Sequence, residues 1–560
     1  MNKLPLSSIL LFLFLTAWPA AESPAPPAPA AEQVTPRFSE AAYRAHLEFL
    51  ADDLCEGRAP GTRGGDLAAL YIAGRFQAAG LRPISPETGY YQPVPMMGNL
   101  THQDTVQAAL RAGDSVLPLA AVQDIVLGSE LPREEIVLEE DLWFVGYGIQ
   151  APEYQWDDYR DFDPAGKVLV MLVNDPDFSA TGFGSESLTY YGRWTYKEEI
   201  ARIMGARGVI MIHTPETATY GWEVVQSSWT VERVQLVGEI RNPSVIQGWI
   251  ARSALDRALA PRQLDYDTLK ARADSREFRP FPLGLTLTAR FRQSFRTFTS
   301  PNVIGLLPGT DLASEAVVYM AHYDHLGVGR EIDGDAIYNG AVDNASGTAA
   351  IICLAEAFAA GPPPRRTILF MATTGEETGL LGSEYYAEHP VIPLDQTAII
   401  LNKDCCNFYG RRDGFGLFPA QYTDAVDTFR KLGEHMGLEL HVGGVDRGGG
   451  AFRVDNFPFC ARGVVGLSVG LGGQNLTLSA DEEKALRQRV GRWYHQPNDE
   501  IQPFFRYDGV LQEMEILTFI GRHYAAGAPA PRLVAGHPFT AAIRVRDRKY
   551  MSPEKESVAE

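Results

Sequence analysis

Cysteine is scarce: five in 560 residues cannot form a disulfide framework, and the odd number leaves at least one thiol unpaired within the chain. Positive charge is also short. Lys plus Arg total 50 against 70 Asp plus Glu, a formal charge of −20, which repels nucleic acid and anionic membrane surfaces. Long apolar runs are missing too. The run from Ile9 to Ala17 falls far below the roughly 20 residues that cross a bilayer, and nothing later in the chain is long and apolar enough to do so. What remains is ordinary globular material, 45% apolar and 21% charged, with 53 Gly and 37 Pro marking many loops. At about 100 to 200 residues per domain, the length implies two to four domains with a large core.

One early charge at Lys3, the apolar run and the small residues Ala20 and Ala21 read as an export signal over residues 1–21. Trp18 and Pro19 interrupt the usual small-residue cleavage pattern. A Pro/Ala-rich spacer follows over 22–36, so the mature protein is expected to be periplasmic or secreted, with no stable membrane insertion. Two helical segments between Ala41 and Gly80 flank the turn-rich loop Glu56-Gly-Arg-Ala-Pro-Gly-Thr-Arg-Gly-Gly65. Strand-like runs at Leu142–Tyr147, Lys167–Val173 and Gly208–His213, with a helical Tyr196–Ala206, read as a small α/β module. From Val303 onward the alternation is regular: strands at Ala316–Met320, Thr367–Met371, Thr397–Leu401 and Val464–Val469, and helices at Gly347–Ala360, Leu380–Ala387, Asp424–Met436 and Val510–Tyr524. This implies an α/β fold with a doubly wound, mostly parallel sheet. The tail after Pro529 reads as a loose extension.

Ligands of an open α/β sheet bind beyond the carboxyl ends of its strands, and the polar clusters fall there. His322 and Asp324 follow the first regular strand, two residues apart and so on one side of an extended chain; a carboxylate so placed can orient a metal-bound imidazole. Asp343 leads the small-residue loop Asp343-Asn-Ala-Ser-Gly347. Alone it would be a helix cap. Glu376 and Glu377 follow the next strand, adjacent carboxylates that repel unless a cation sits nearby or one is protonated. One could bind a metal while the other takes a proton from bound water. Asp404 lies beyond the third strand and His495 beyond the last. His322, Asp343, Glu377, Asp404 and His495 thus form a set of two imidazoles and three carboxylates that suits two zinc ions sharing one carboxylate; manganese and cobalt accept the same donors.

These pieces together resemble the co-catalytic zinc exopeptidases, a family that contains secreted bacterial leucyl-type aminopeptidases and, more distantly, glutamate carboxypeptidase. The resemblance rests on His322-Tyr-Asp324, Asp343-Asn-Ala-Ser-Gly347, Gly375-Glu-Glu-Thr-Gly-Leu-Leu-Gly-Ser383, Asn402-Lys-Asp404 and Tyr494-His-Gln-Pro-Asn-Asp499, with Glu56-Gly-Arg-Ala-Pro-Gly61 nearer the N-terminus. It implies one ion on His322, Asp343 and Asp404 and a second on Asp343, Glu377 and His495, Asp343 bridging. Glu376 would be the general base and then acid, and Asp324 would orient His322. The implied reaction is hydrolysis of N-terminal residues from peptide substrates by a hydroxide held between the ions, zinc lowering the pKa of water from about 15.7 to about 7. The implied layout is a catalytic domain of residues 37–100 and 296–528, an insertion over 101–295 containing a protease-associated domain, and an extension over 529–560.

Some features depart from that pattern. Val454-Asp455-Asn456-Phe457-Pro458-Phe459 lacks the His that many relatives carry there, and Cys405 and Cys406, where apolar residues are expected, read as buried thiols. The Gly-rich Val445–Gly450 lacks the Gly-Lys-Ser/Thr ending of a phosphate loop and reads as a flexible edge of the site. His213 reads as a structural histidine, Glu434 and His435 as a solvated face. Arg447, Arg453 and Arg462 keep open a carboxypeptidase or dipeptide amidohydrolase on the same scaffold, and a non-enzymatic binding protein is disfavoured by the full set of donors. Oligomeric state is not legible in the sequence.

Overall fold

The computed structural model describes residues 37–237 and 242–543, so the expected export signal and spacer lie outside the described residues, as does the end of the C-terminal extension. The two expected N-terminal helices are α1 (Glu40–Leu50) and α2 (Arg63–Ala78), started by Ser39 and Thr62, whose side chains accept from the main chain of Ala42 and Gly65. Tyr43, Leu47, Leu50, Ile72 and Phe76 form their buried stripes.

The elements that matter for the site follow in chain order: β1 (Tyr91–Thr101), β2 (Glu135–Phe144), β3 (Val168–Leu172), α3 (Trp194–Ile203), β4 (Gly208–His213), β5 (Ile246–Ala251), β6 (Phe281–Leu307), β7 (Leu312–His322), α4 (Ser346–Ala359), β8 (Arg366–Thr373), β9 (Thr397–Asn402), β10 (Arg412–Phe418), β11 (Gly466–Asn475) and α5 (Tyr507–Ala525). The sequence of β7 to β9 explains their place. Ala316 to His322 and the whole of β8 and β9 are buried on both faces, the pattern of parallel strands covered by helices on either side. β7 pairs parallel with β8 and β9, and β9 with β11.

Antiparallel strands border this parallel centre. β6 runs antiparallel to β8 and β10 antiparallel to β11, neither of which the βα alternation foretells. β6 spans 27 residues and pairs with four strands: β2 through Phe281–Arg292, β1 through Gln293–Val303, β8 through Val303–Leu307, and, through Thr286–Arg290, the strand Gln107–Ala112. The residues of the insertion form a second parallel set, β2-β3-β4-β5, joined to the first by β6. The boundary expected between residues 295 and 296 therefore falls inside one continuous strand. Over the described residues 530–543 the expected loose extension is packed instead: Phe539 is fully buried, its ring within 6.0 Å of Phe452 and 6.2 Å of Phe457. A lone aromatic without periodicity gives no element signal, yet it fills a gap.

The loop between α1 and α2 ties this scaffold together. Arg58 is fully buried and donates to four carbonyls: Tyr323 at 2.7 Å, Leu50 at 2.6 Å, Asn339 at 2.5 Å and Gly340 at 3.0 Å. Gly57 at φ +63° lets the loop pass, since a Cβ there would lie 2.5 Å from the Tyr338 carbonyl. Replacing Arg58 strands four buried acceptors at about 1 to 3 kcal/mol each before relaxation. Arg58→Met is expected to cost about 3 kcal/mol or more in denaturant unfolding, whereas Arg63→Met, on a side chain 70% exposed, should stay within about 0.5 kcal/mol.

Candidate metal centre

The parallel register delivers the functional side chains to one edge. His322 ends β7 opposite Thr373 at the end of β8, and Met320 is level with Asn402 at the end of β9. Glu376 and Glu377 lie just beyond β8 and Asp404 just beyond β9, flanking His322 on both sides. Asp343 precedes α4, and His495 arrives on the loop that follows β11 and a short exposed helix.

Asp343 is the centre of the group. Its Oδ1 lies 3.3 Å from His322 Nε2 and its Oδ2 3.6 Å from His495 Nε2, so its two oxygens face different imidazoles. His322 Nε2 is also 3.4 Å from Asp404 Oδ1 and 4.0 Å from Glu376 Oε2. His495 Nε2 is 2.9 Å from Glu377 Oε2. All five expected ligands and Glu376 therefore meet in one place. Their ligand atoms form compact groups, among them His322 with Asp343 and Asp404. Another group contains a residue to which the sequence reading gave no role, His325, gathered with Asp343 and Glu377; its Nδ1 is 2.5 Å from Glu377 Oε1. Its neighbour His322 at the strand end was the only local signal.

A shell of main-chain contacts sets these positions. Asp324 acts differently from the expected carboxylate orienter: the His322 Nδ1–H donates to the Asp324 carbonyl at 3.2 Å, while its carboxylate is 3.8 Å away and accepts from the main-chain N–H groups of Glu376 (3.2 Å) and Glu377 (3.4 Å). Asp499 holds the Asp343 loop the same way, accepting from the N–H groups of Val342 at 2.9 Å and Asp343 at 3.0 Å. Asn344 bonds Lys403, Cys405 and Gly347, fastening the Asp404 loop to the start of α4. Beneath it, the buried Lys403 Nζ is 2.9 Å from Glu513 on α5. Ser228, from the insertion, hydrogen-bonds His495 Nδ1 at 3.1 Å. Nothing in the sequence pattern marked Ser228, because its contact spans 267 positions.

The electrostatics follow from burial and crowding. Burial pushes Glu376 well above the usual carboxylate range, against the pull of His322 and with Glu377 and Asp404 adding to the rise. Burial acts on Glu377 too, but His495 and His325 outweigh it and hold that carboxyl well below its ordinary value. Burial also acts on Asp404, but His322 outweighs it and lowers that carboxyl. Burial raises Asp324 to about 7 and Asp499 to about 6. Among the described residues no Lys or Arg side chain pairs with Asp343, Glu376, Glu377 or Asp404. Three imidazoles, His322, His325 and His495, cannot neutralise four buried carboxylates. Nitrogen and oxygen donors converging in this way fit zinc, with places left open for substrate or water.

The remaining sequence features resolve simply. All five cysteines are free, Cys406 buried and Cys405 partly so. Asp455 is buried and accepts from Ser383 at 2.6 Å and from Thr373, a structural contact. The Gly-rich loop is pinned to the insertion through Asp446, which bonds Ser187 and Leu188. His213 is satisfied by the Tyr220 carbonyl at 3.1 Å, and Glu434 and His435 are exposed.

The description Peptidase family M28 matches residues 302–513. Aminopeptidase YwaD of Bacillus subtilis is 26% identical over 215 residues, 38% of this chain and 42% of its own length. The probable glutamate carboxypeptidase AMP1 of Arabidopsis thaliana is 31% identical over 129 residues, 22% of this chain and 17% of its own. The chain thus spans less than half the length of these curated relatives. Among solved structures, the aminopeptidase from Aneurinibacillus sp. strain AM-1 has the same fold, with a TM-score of 0.53 at 17% identity over 91% of this chain and 98% of that one. Every member of the carboxylate and imidazole cluster falls within residues 302–513, the stretch that is similar to peptidase family M28.

Proposed function

We propose that the protein is an exported zinc-dependent exopeptidase, an aminopeptidase that hydrolyses N-terminal residues from peptides. The observation that carries this reading is Asp343, whose two oxygens face His322 at 3.3 Å and His495 at 3.6 Å, a donor arrangement able to join two ions. His322 and Asp404 would hold one zinc with Asp343, and Glu377 and His495 the other. His325, beside Glu377, orients that carboxylate. Zinc bound there would polarise the scissile carbonyl and make water more acidic.

The chain's own residues do the rest. Glu376 lies at the rim of the cluster, joined to neither imidazole by a short contact, and lines the adjoining cavity. It would take the proton from the attacking water and return it to the departing amine. Asp324, bonded to the main chain at Glu376 and Glu377, fixes the direction of both carboxylates. The names of the relatives support the aminopeptidase reading, and the glutamate carboxypeptidase among them supports the alternative of a carboxypeptidase or dipeptide amidohydrolase. Export rests on the residue pattern of 1–21; no helix among the described residues is long and apolar enough to cross a membrane.

Glu376→Gln should leave zinc content unchanged, measured by plasma mass spectrometry, while kcat on peptide substrates falls by about 10² or more; full activity in this variant refutes the assigned role. Chelation should abolish hydrolysis, and two equivalents of zinc should restore it. His322→Ala and His495→Ala should each bind about one zinc fewer than the parent protein, and an unchanged stoichiometry in either would remove that residue from the ligand set.

A further inference from the structure

A cavity of about 500 Å³ adjoins the cluster, lined by Glu376, Tyr494 and His495 from the peptidase domain and by Arg193, Tyr220 and Trp229 from the insertion. Its arginines fall into two kinds. Arg202 is paired with Glu130, Arg233 with Glu198, and Arg462 with Glu384 and Glu388, so those charges are neutralised within the protein. Arg447, on the nearby Gly-rich loop, is paired with Glu186.

Arg193 and Arg453 have no such partner. Arg193 precedes α3, is 6% exposed, and has a buried Nε without a hydrogen bond. Among the described residues no carboxylate lies within ion-pair distance of Arg193 or Arg453. Burial, and then the like charge of Arg453, act against the Arg193 cation. Arg453 also has an unpartnered buried Nε; a terminal nitrogen donates to the Ala218 carbonyl at 3.2 Å and Thr219 Oγ1 at 3.1 Å, both neutral acceptors. Its guanidinium lies 5.5 Å from the Tyr220 ring centroid. The pair is close to the reacting centre. Arg193 and Arg453 line the same cavity as Glu376, Tyr494 and His495, and Tyr494 stacks on His495 with ring centroids 3.9 Å apart.

The buried Arg193 guanidinium loses hydration without compensation and is repelled by the like charge of the partly exposed Arg453. An anion between them reverses both costs, because a guanidinium fork matches a carboxylate through paired, charge-assisted hydrogen bonds. We infer that Arg193 and Arg453 form a carboxylate-binding subsite of the cleavage cavity, which selects peptides carrying a carboxylate next to the bond to be cut. The inference rests on the peptidase reading and adds its substrate class. The carboxylate has two sources in a peptide, the acidic side chain of an N-terminal residue or the free C-terminus of a dipeptide, and both present the same chemistry to the two arginines.

The test uses the full-length, zinc-loaded protein and two matched substrate pairs: Leu-Gly against Leu-glycinamide, and the Glu against the Gln p-nitroanilide. In at least one pair the carboxylate member should show a kcat/KM about tenfold or more above its neutral partner, the pair identifying the source. Arg193→Gln and Arg453→Gln should raise KM for that member about tenfold or more, the range of a charge-assisted hydrogen bond, while changing the neutral member less than threefold. Equal rates within both pairs for the parent protein, or equal losses on both members in the variants, overturn the inference and leave the peptidase reading intact. If Arg193→Gln does not fold, the parent comparison and Arg453→Gln, on a partly exposed side chain, decide the question. If the zinc-loaded protein cleaves no peptide, the peptidase reading fails. In that event, calorimetric binding of glutarate that is lost in the variants supports the subsite, and absence of binding overturns it.

Discussion

The repulsion among Asp343, Glu376, Glu377 and Asp404 is the constraint around which this molecule is organised. Each is buried or nearly so, and His322, His495 and His325 are the only basic groups in contact with them among the described residues. Carboxylates in such a place remain ionised only beside positive charge, and the chain supplies too little of it. Divalent cations meet that demand with the donor types present. The cluster is therefore an argument for bound metal that depends on charge and distance, and the family likeness adds to it independently.

Holding mutually repelling groups at fixed separations requires a rigid frame, and the frame is made mainly of backbone hydrogen bonds to buried polar side chains. Asp324 and Asp499 each receive two N–H groups from the loops that carry the acids. Arg58 gathers four carbonyls from three separate stretches of chain. Asn344 and the Lys403–Glu513 pair fix the Asp404 loop between α4 and α5. None of these side chains needs to touch a substrate. They position those that do, in the manner expected of preorganised sites.

Much of this was legible in the sequence, for a physical reason. Strands such as Thr367–Met371 and Thr397–Leu401 are continuously apolar because both their faces are covered, so the polar residues immediately after them stand out as strand-end candidates. That logic located the five expected ligands and Glu376. Partners that meet through the fold were not legible: Ser228 on His495, Asp499 on the Asp343 loop as a main-chain acceptor, and Arg193 in the cavity are set by topology across hundreds of positions. The antiparallel β6 was hidden for a related reason, since its 27 residues pair with four different strands along their length and carry no single periodic pattern. Asp324 was read as an orienting carboxylate from its spacing and from the family resemblance; the structure uses its carbonyl for that contact and its carboxylate for the glutamate loop.

The insertion reaches the cluster directly, through Ser228 at His495, and supplies Arg193 to the wall of the adjoining cavity. The central claim remains the pair of ions. Anomalous diffraction at the zinc absorption edge, from crystals grown with the ion, tests it most directly. The account predicts two peaks, one among His322, Asp343 and Asp404 and the other among Asp343, Glu377 and His495. Crystals with the same side-chain arrangement and no anomalous peak at the cluster would contradict it.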